Sequence, residues 1–159
     1  MRSTFRISSI TASLLGFLWI AAQAAGISTP FVDVTVDKVP LGKPFLVTHS
    51  AGNGITIANL DNNPVQVSLE ALSPKATELR GGAIPVPSVE WVHIEPIRNV
   101  IPAHGQALYQ VTLTVPKLKE YAGQYYQVMI WSRGEVAKNQ GVGITAGLIS
   151  RLRFHTIKE

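Results

Sequence analysis

The sequence contains no cysteine. That excludes disulfides, thiolate-held metals, type-1 copper centres and cysteine nucleophiles. Charge is sparse as well, at 15% of residues, and no block of like charges offers a nucleic-acid arm. No long segment shows helical periodicity. There is no Gly-x-Ser-x-Gly elbow and no glycine-rich phosphate loop ahead of a helix, so the chain carries no motif on which to build an enzyme. Gly141-Val142-Gly143 falls between predicted strands and reads as a bend or bulge. Glu90 and Glu95 read as exposed strand-end carboxylates. His49, His93, His104 and His155 form no i, i+2 strand pair and no i, i+4 helix pair, and beyond Met1 the only methionine is Met129. No metal site and no cofactor is expected from these residues.

What the N-terminus does have is the pattern of a secretory signal peptide. Arg2 and Arg6 are positive, no acidic residue precedes Asp33, and an apolar stretch runs from Ile10 to Ala22. Ala22-Gln23-Ala24 supplies the small residues a signal peptidase needs, which places cleavage after Ala24. The competing reading is an uncleaved anchor, but the stretch is short of the roughly 20 apolar residues that span a bilayer. The expectation is therefore a signal over residues 1–24, one domain over 25–159, and a periplasmic or extracellular location with no membrane span after cleavage. Losing Arg2 and Arg6 lowers the formal charge of +4 by two. An exported domain without disulfides must be held by its core alone.

Beyond the signal, β-branched and aromatic runs alternate with Gly, Pro and Asn, the pattern of an all-β chain. Val32, Val34 and Val36 are expected on one face of a first strand. Gly54–Asn59 and Val65–Glu70 read as an antiparallel pair around the Asp/Asn turn 60–64, with Ile55, Ile57, Val65, Val67 and Leu69 inward. Ser73–Ser88 reads as a long exposed connection with a short helical turn near Lys75–Leu79. Tyr109, Val111, Leu113 and Val115 share a face of the clearest strand, and Tyr126, Val128 and Ile130 line the core from the next. Gly134–Gly141 reads as a polar hairpin loop, and Ile144–Thr156 as extended. About seven or eight strands in one domain is the count expected of an immunoglobulin-like antiparallel β-sandwich.

Tyr121-Ala122-Gly123-Gln124-Tyr125 lies where sandwich domains carry a tyrosine corner, and packing is preferred to ligand stacking for Tyr125 and Tyr126. The last strand has two readings. In one it is an ordinary closing strand, with Leu152 and Phe154 buried and Arg151 and Arg153 solvated. In the other it is an edge that pairs with a partner's backbone, where an arginine fork receives a carboxylate.

Several segments resemble the N-terminal domain of periplasmic pilus-assembly chaperones. Asn59-Leu60-Asp61-Asn62-Asn63-Pro64-Val65 is similar to that family's strand, Asn-rich turn, Pro and strand. Trp91–Pro96 followed by Ile101-Pro102-Ala103-His104-Gly105-Gln106 resembles its I-x-P … L-x-P-G-x-x-Q passage, and Arg151-Leu152-Arg153-Phe154 resembles the run that closes its last strand. The resemblance implies that the last strand donates alternate apolar residues, here Ile144, Ala146 and Leu148, to an incomplete pilin-like subunit. Arg153 then takes the role of anchor for the subunit's C-terminal carboxylate, with Arg151 beside it. The chain departs from that family in ending at Glu159 without a second domain, in lacking the partner arginine between Phe31 and Val36, and in carrying Lys119–Gly123 in place of the acidic-basic segment.

The function expected is non-catalytic binding of a protein partner, a pilin-like or envelope subunit, through a strand edge. The alternative is a structural surface subunit that self-assembles or decorates a larger complex. A secreted metal or carbohydrate binder ranks last.

Overall fold

The computed structural model describes residues 26–50, 52–136 and 146–158. Numbered along the chain, the strands begin with β1 (Ile27–Ser28), β2 (Asp33–Val39), β3 (Pro44–Leu46), β4 (Thr48–His49), β5 (Gly52–Asn53) and β6 (Ile55–Asn59). They continue with β7 (Val65–Leu72), β8 (Ile84–Pro85), β9 (Val92–Glu95), β10 (Arg98–Ile101), β11 (Gln106–Thr114), β12 (Tyr125–Val136) and β13 (Ala146–Thr156). Those of four residues or more are β2, β6, β7 and β9 to β13, in line with the expected number. Short 3-10 turns at Ala76–Glu78, Val89–Trp91 and Lys119–Tyr121 complete the described elements.

Period-two alternation decides which side chains turn inward. Ile55 and Ile57 of β6 and Tyr109, Val111 and Leu113 of β11 point at Val65, Val67 and Leu69 of β7 and at Tyr126, Val128 and Ile130 of β12, all of them buried. Full burial of a side chain of this size stabilises by about 1.5–3 kcal/mol, so this interior is the main source of stability in a chain without disulfides. Trp91 closes one end, its ring edge-on to Tyr121 at 4.7 Å and to Tyr126 at 5.5 Å.

The result is an all-β, two-sheet sandwich. One sheet has the order β1-β6-β11-β3, with β9 also on β11; the other runs β10-β7-β12-β13-β2, with β8 on β12. The sandwich is not wholly antiparallel, because β2 runs parallel to β13 and β8 parallel to β12.

Two expectations are corrected. First, β6 and β7 do not pair: β6 lies between β1 and β11, while β7 lies between β10 and β12 in the opposite sheet. The turn between them is an inter-sheet corner, built on the buried side chain of Asn59. Its Nδ2 donates to the carbonyls of Asn63 (2.8 Å) and Pro102 (2.9 Å) and reaches that of Ile101 (3.2 Å), while its Oδ1 accepts from Asp61 N (2.9 Å). Alternation fixed the inward faces of both strands but said nothing of their neighbours. Second, Val32 does not join Val34 and Val36 inside. A turn in which Val32 N donates to Pro30 O precedes β2, and it buries Phe31 and turns Val32 out.

The Ser73–Ser88 connection holds the expected short turn, yet it is tied down more firmly than an exposed loop. Gln127 of β12 is fully buried; its Oε1 accepts from Arg80 N and its Nε2 donates to Glu78 O, each at 2.9 Å. The tyrosine corner is replaced by a threonine. Thr156 Oγ1 donates to Tyr121 O at 2.6 Å and accepts from Gln124 N at 2.9 Å, fixing the approach to β12. The hydroxyl that spans the interior belongs to Tyr109, which donates to Val67 O at 3.4 Å. Burial pushes its pKa up to about 12.

Candidate functional site at the last strand

Along β13 the residues alternate between two surroundings. Ser150, Leu152 and Phe154 are buried between the sheets, and Leu148 packs half-buried against the same core. Ile149, Arg151, Arg153 and His155 take the other parity and face outward. On one side β13 pairs with β12 over its whole length, from Gly134↔Ala146 to Tyr125↔His155. On the other side β2 covers only the second half, beginning at Asp33↔Arg151.

Asp33 is what fastens β2 there. Arg151 Nη1 donates to its Oδ2 at 2.8 Å, and Arg153 donates to its Oδ1 through Nη2 at 2.7 Å and Nε at 3.1 Å. The remaining fork atom, Arg153 Nη1, donates to Tyr125 Oη at 2.9 Å. Partial burial pushes the Asp33 carboxyl up, but the hydrogen bonds and charges of Arg153 and Arg151 together outweigh it and hold the pKa below the ordinary value. For Arg153 burial acts downward and Asp33 overrides it, so its pKa is raised. Further along, His155 Nδ1 lies 2.7 Å from Asp37 Oδ1, and the Tyr125 ring stacks on His155 at 3.9 Å. Tyr126 is a core residue.

The residues singled out from the sequence therefore have distinct placements. Arg151 and Arg153 lie together on the outer face, and both already hold a carboxylate supplied by their own chain. Leu148 contributes to the core margin. Ala146 pairs with Gly134 in the ladder, and Ile144 lies outside the described residues.

Toward its start, β13 has an open side. Arg151 N donates to Val32 O at 2.8 Å, so the backbone of every second residue points that way. Gly147 and Ile149 thus direct N–H and C=O groups to a side where no described strand pairs with them. Beside this edge lie exposed apolar side chains, Val32 at 61% and Ile149 at 54%. Trp131, opposite Ile149 in the ladder, is half-buried and lies against Gly147, where its Nε1 is 2.9 Å from the position a Cβ would take. The Arg133 guanidinium sits 4.8 Å above the Trp131 ring, within cation–π range. Sequence reasoning missed Asp33, Ile149 and Trp131. The available signal was parity: once Leu152 and Phe154 are inward, Ile149 must be outward.

Among the described residues no group of three or more His, Asp or Glu side chains is placed to hold a metal ion. No described helix is long and apolar enough to cross a membrane.

No family model matches the sequence, and no curated protein matches it. Solved structures do. The PapD-like domain 7 of human CEP192 is similar over 100% of this chain and 98% of that one, with a TM-score of 0.62 and 14% identity. The chaperone DraB of E. coli is similar over 81% of this chain with a TM-score of 0.51 and 12% identity, and the chaperone YadV over 82% with 0.52 and 9%. This chain spans 54% of DraB and 52% of YadV, about half of each. At these identities the likeness shows the fold, which is the PapD-like immunoglobulin-like sandwich.

Proposed function

We propose that this chain is an exported, non-catalytic protein-binding module that takes an extended segment of its partner along the first half of β13. The observation that carries the reading is the open edge at Gly147 and Ile149 beside exposed Val32 and Ile149 and half-buried Trp131. Unpaired strand edges are templates for added strands, and apolar side chains next to one provide pockets for alternate partner residues. The signal-like N-terminus supports export to the periplasm or beyond. The PapD-like fold, shared with two proteins described as chaperones, supports partner binding, and an envelope or pilin-like subunit is the partner class this favours.

In this reading Arg151 and Arg153 act by holding β2 on the far half of β13, which ends the ladder where the partner's strand begins. Leu148 and Ile149 then present their two faces to alternate side chains of the incoming segment. A photo-crosslinking residue placed at Ile149 in cells tests this directly. It should give a discrete adduct with another protein, while the same residue at Leu108 on the opposite sheet should not. An adduct with a second copy of this chain would favour the self-assembling subunit instead, and equal labelling from both positions would remove the edge from consideration.

A further inference from the structure

The opposite flank of the sandwich carries a second, chemically different opening. There β9 pairs only with β11, leaving its outer side without a described strand. Across from it, β10 stops short of the end of β7. Their ladder closes at Arg98↔Ser68, and one further bond, Leu69 N to Ile97 O at 3.0 Å, extends it. Ala71 has the same parity as Leu69, so its N–H and C=O point into the gap. Between these two edges lies a cleft of about 490 Å³, floored by Leu69, Ala71, Val92 and Ile94 and flanked by Ile97, which is 69% exposed.

The rim is acidic. Glu70, Glu90 and Glu95 line the cleft, and none of their carboxylates has an ion pair or hydrogen bond among the described residues. The chain carries a formal charge of +4, lowered by two if Arg2 and Arg6 are removed with the signal, so it is positive in either case, yet no lysine or arginine lines this place. An apolar floor, two unpaired backbone edges and three uncompensated carboxylates fit one kind of occupant.

We propose that the cleft between β7 and β9 binds an extended basic segment of another protein, one in which lysine or arginine alternates with aliphatic residues. The aliphatic side chains enter between the sheets, the segment's backbone pairs with an open edge, and its cations meet Glu70, Glu90 and Glu95. This site is separate from the β13 edge and stands or falls independently of it, because β12 and β13 lie between the two flanks.

The test is a titration of isotope-labelled protein with a short blocked peptide of alternating valine and lysine, followed by amide NMR. Shifts should concentrate on Val92–Glu95 and Ala71. The combined Glu70→Gln, Glu90→Gln and Glu95→Gln variant, its fold verified by its own spectrum, should bind about tenfold more weakly, as expected for three exposed charge pairs. Glu120→Gln with Glu135→Gln should leave affinity within about twofold, since both lie elsewhere on the surface. A peptide with glutamate in place of lysine should not bind. The proposal is overturned by no binding at millimolar peptide, by shifts centred on Gly147–Ile149, by an equal loss in the control variant, or by light scattering that shows the cleft closed by a second copy.

Discussion

Asp33 and Arg153 are joined twice at one oxygen, Oδ1 accepting from Nη2 at 2.7 Å and from Nε at 3.1 Å, across the only parallel contact between long strands in the described sandwich. Arg151 occupies the other oxygen. Charge-assisted, forked contacts of this kind are stronger than single ion pairs, although their partial exposure limits the gain to about 1 kcal/mol. Their structural consequence is larger than their energy. They define where β2 begins, and hence how much of β13 is left open.

Asp33→Asn should therefore destabilise the fold by about 1 kcal/mol at neutral pH, measured by urea unfolding. The effect should depend on pH in one direction. The carboxyl has a lower pKa folded than unfolded, so its contribution is complete above the unfolded value, near pH 4, and is lost as pH falls through the folded value. Wild type and variant should differ most near neutrality and converge in acid. A constant difference down to strongly acidic pH would mean that the carboxylate's charge is not what Asp33 contributes.

The two faces of β13 should respond to truncation very differently. Phe154→Ala removes a fully buried ring that packs on Tyr126 at 5.5 Å and should cost about 3–5 kcal/mol. Ile149→Ala removes a side chain that is 54% exposed and should cost under about 1 kcal/mol, because little of its area leaves water on folding. Chemical unfolding of the two variants beside wild type measures both. Similar losses would contradict the inward and outward parity on which the open edge depends.

That parity was legible in the sequence, and so was most of the core. Tyr109, Val111 and Leu113, or Tyr126, Val128 and Ile130, announce their face because a strand repeats every two residues. Alternation does not name a strand's neighbour, however. Ile55 and Val65 are both inward in either topology, so only the backbone ladders, β6 with β1 and β11 and β7 with β10 and β12, assign the two strands to opposite sheets. The same limit hid Asp33. It lies 118 residues from Arg151, and it reads as an ordinary exposed carboxylate until the parallel register of β2 and β13 brings the two together. Where the resemblance implies an arginine on the first strand, the chain carries an acid that binds both arginines of the last.

Asn59 offers a sharp test of the inter-sheet corner. Asn59→Ala leaves the carbonyls of Asn63, Ile101 and Pro102 without the amide that serves them, and the loss should be about 2–3 kcal/mol for a polar site buried this deeply. Asn59→Asp should cost at least as much, because it sets a carboxylate against three carbonyl oxygens in place of a donor. If the aspartate variant equals wild type at neutral pH in thermal unfolding, the amide nitrogen is not what holds the corner.

Gln127 plays the corresponding part for the 73–88 connection. Its side chain is the acceptor for Arg80 N and a donor to Glu78 O, whereas Val86 N reaches the backbone carbonyl of Gln127 and needs no side chain. Gln127→Leu fills a similar volume while removing both of these bonds and the weaker one from Nε2 to Met129 Sδ at 3.5 Å. It should speed hydrogen exchange at Arg80 by about tenfold or more, the equivalent of losing a bond worth some 1.5 kcal/mol. Exchange at Val86 should change far less, because β8 remains paired to β12. Equal acceleration at Arg80 and Val86 would mean that the connection opens as one unit, held by the core packing of Val86 as much as by the buried amide.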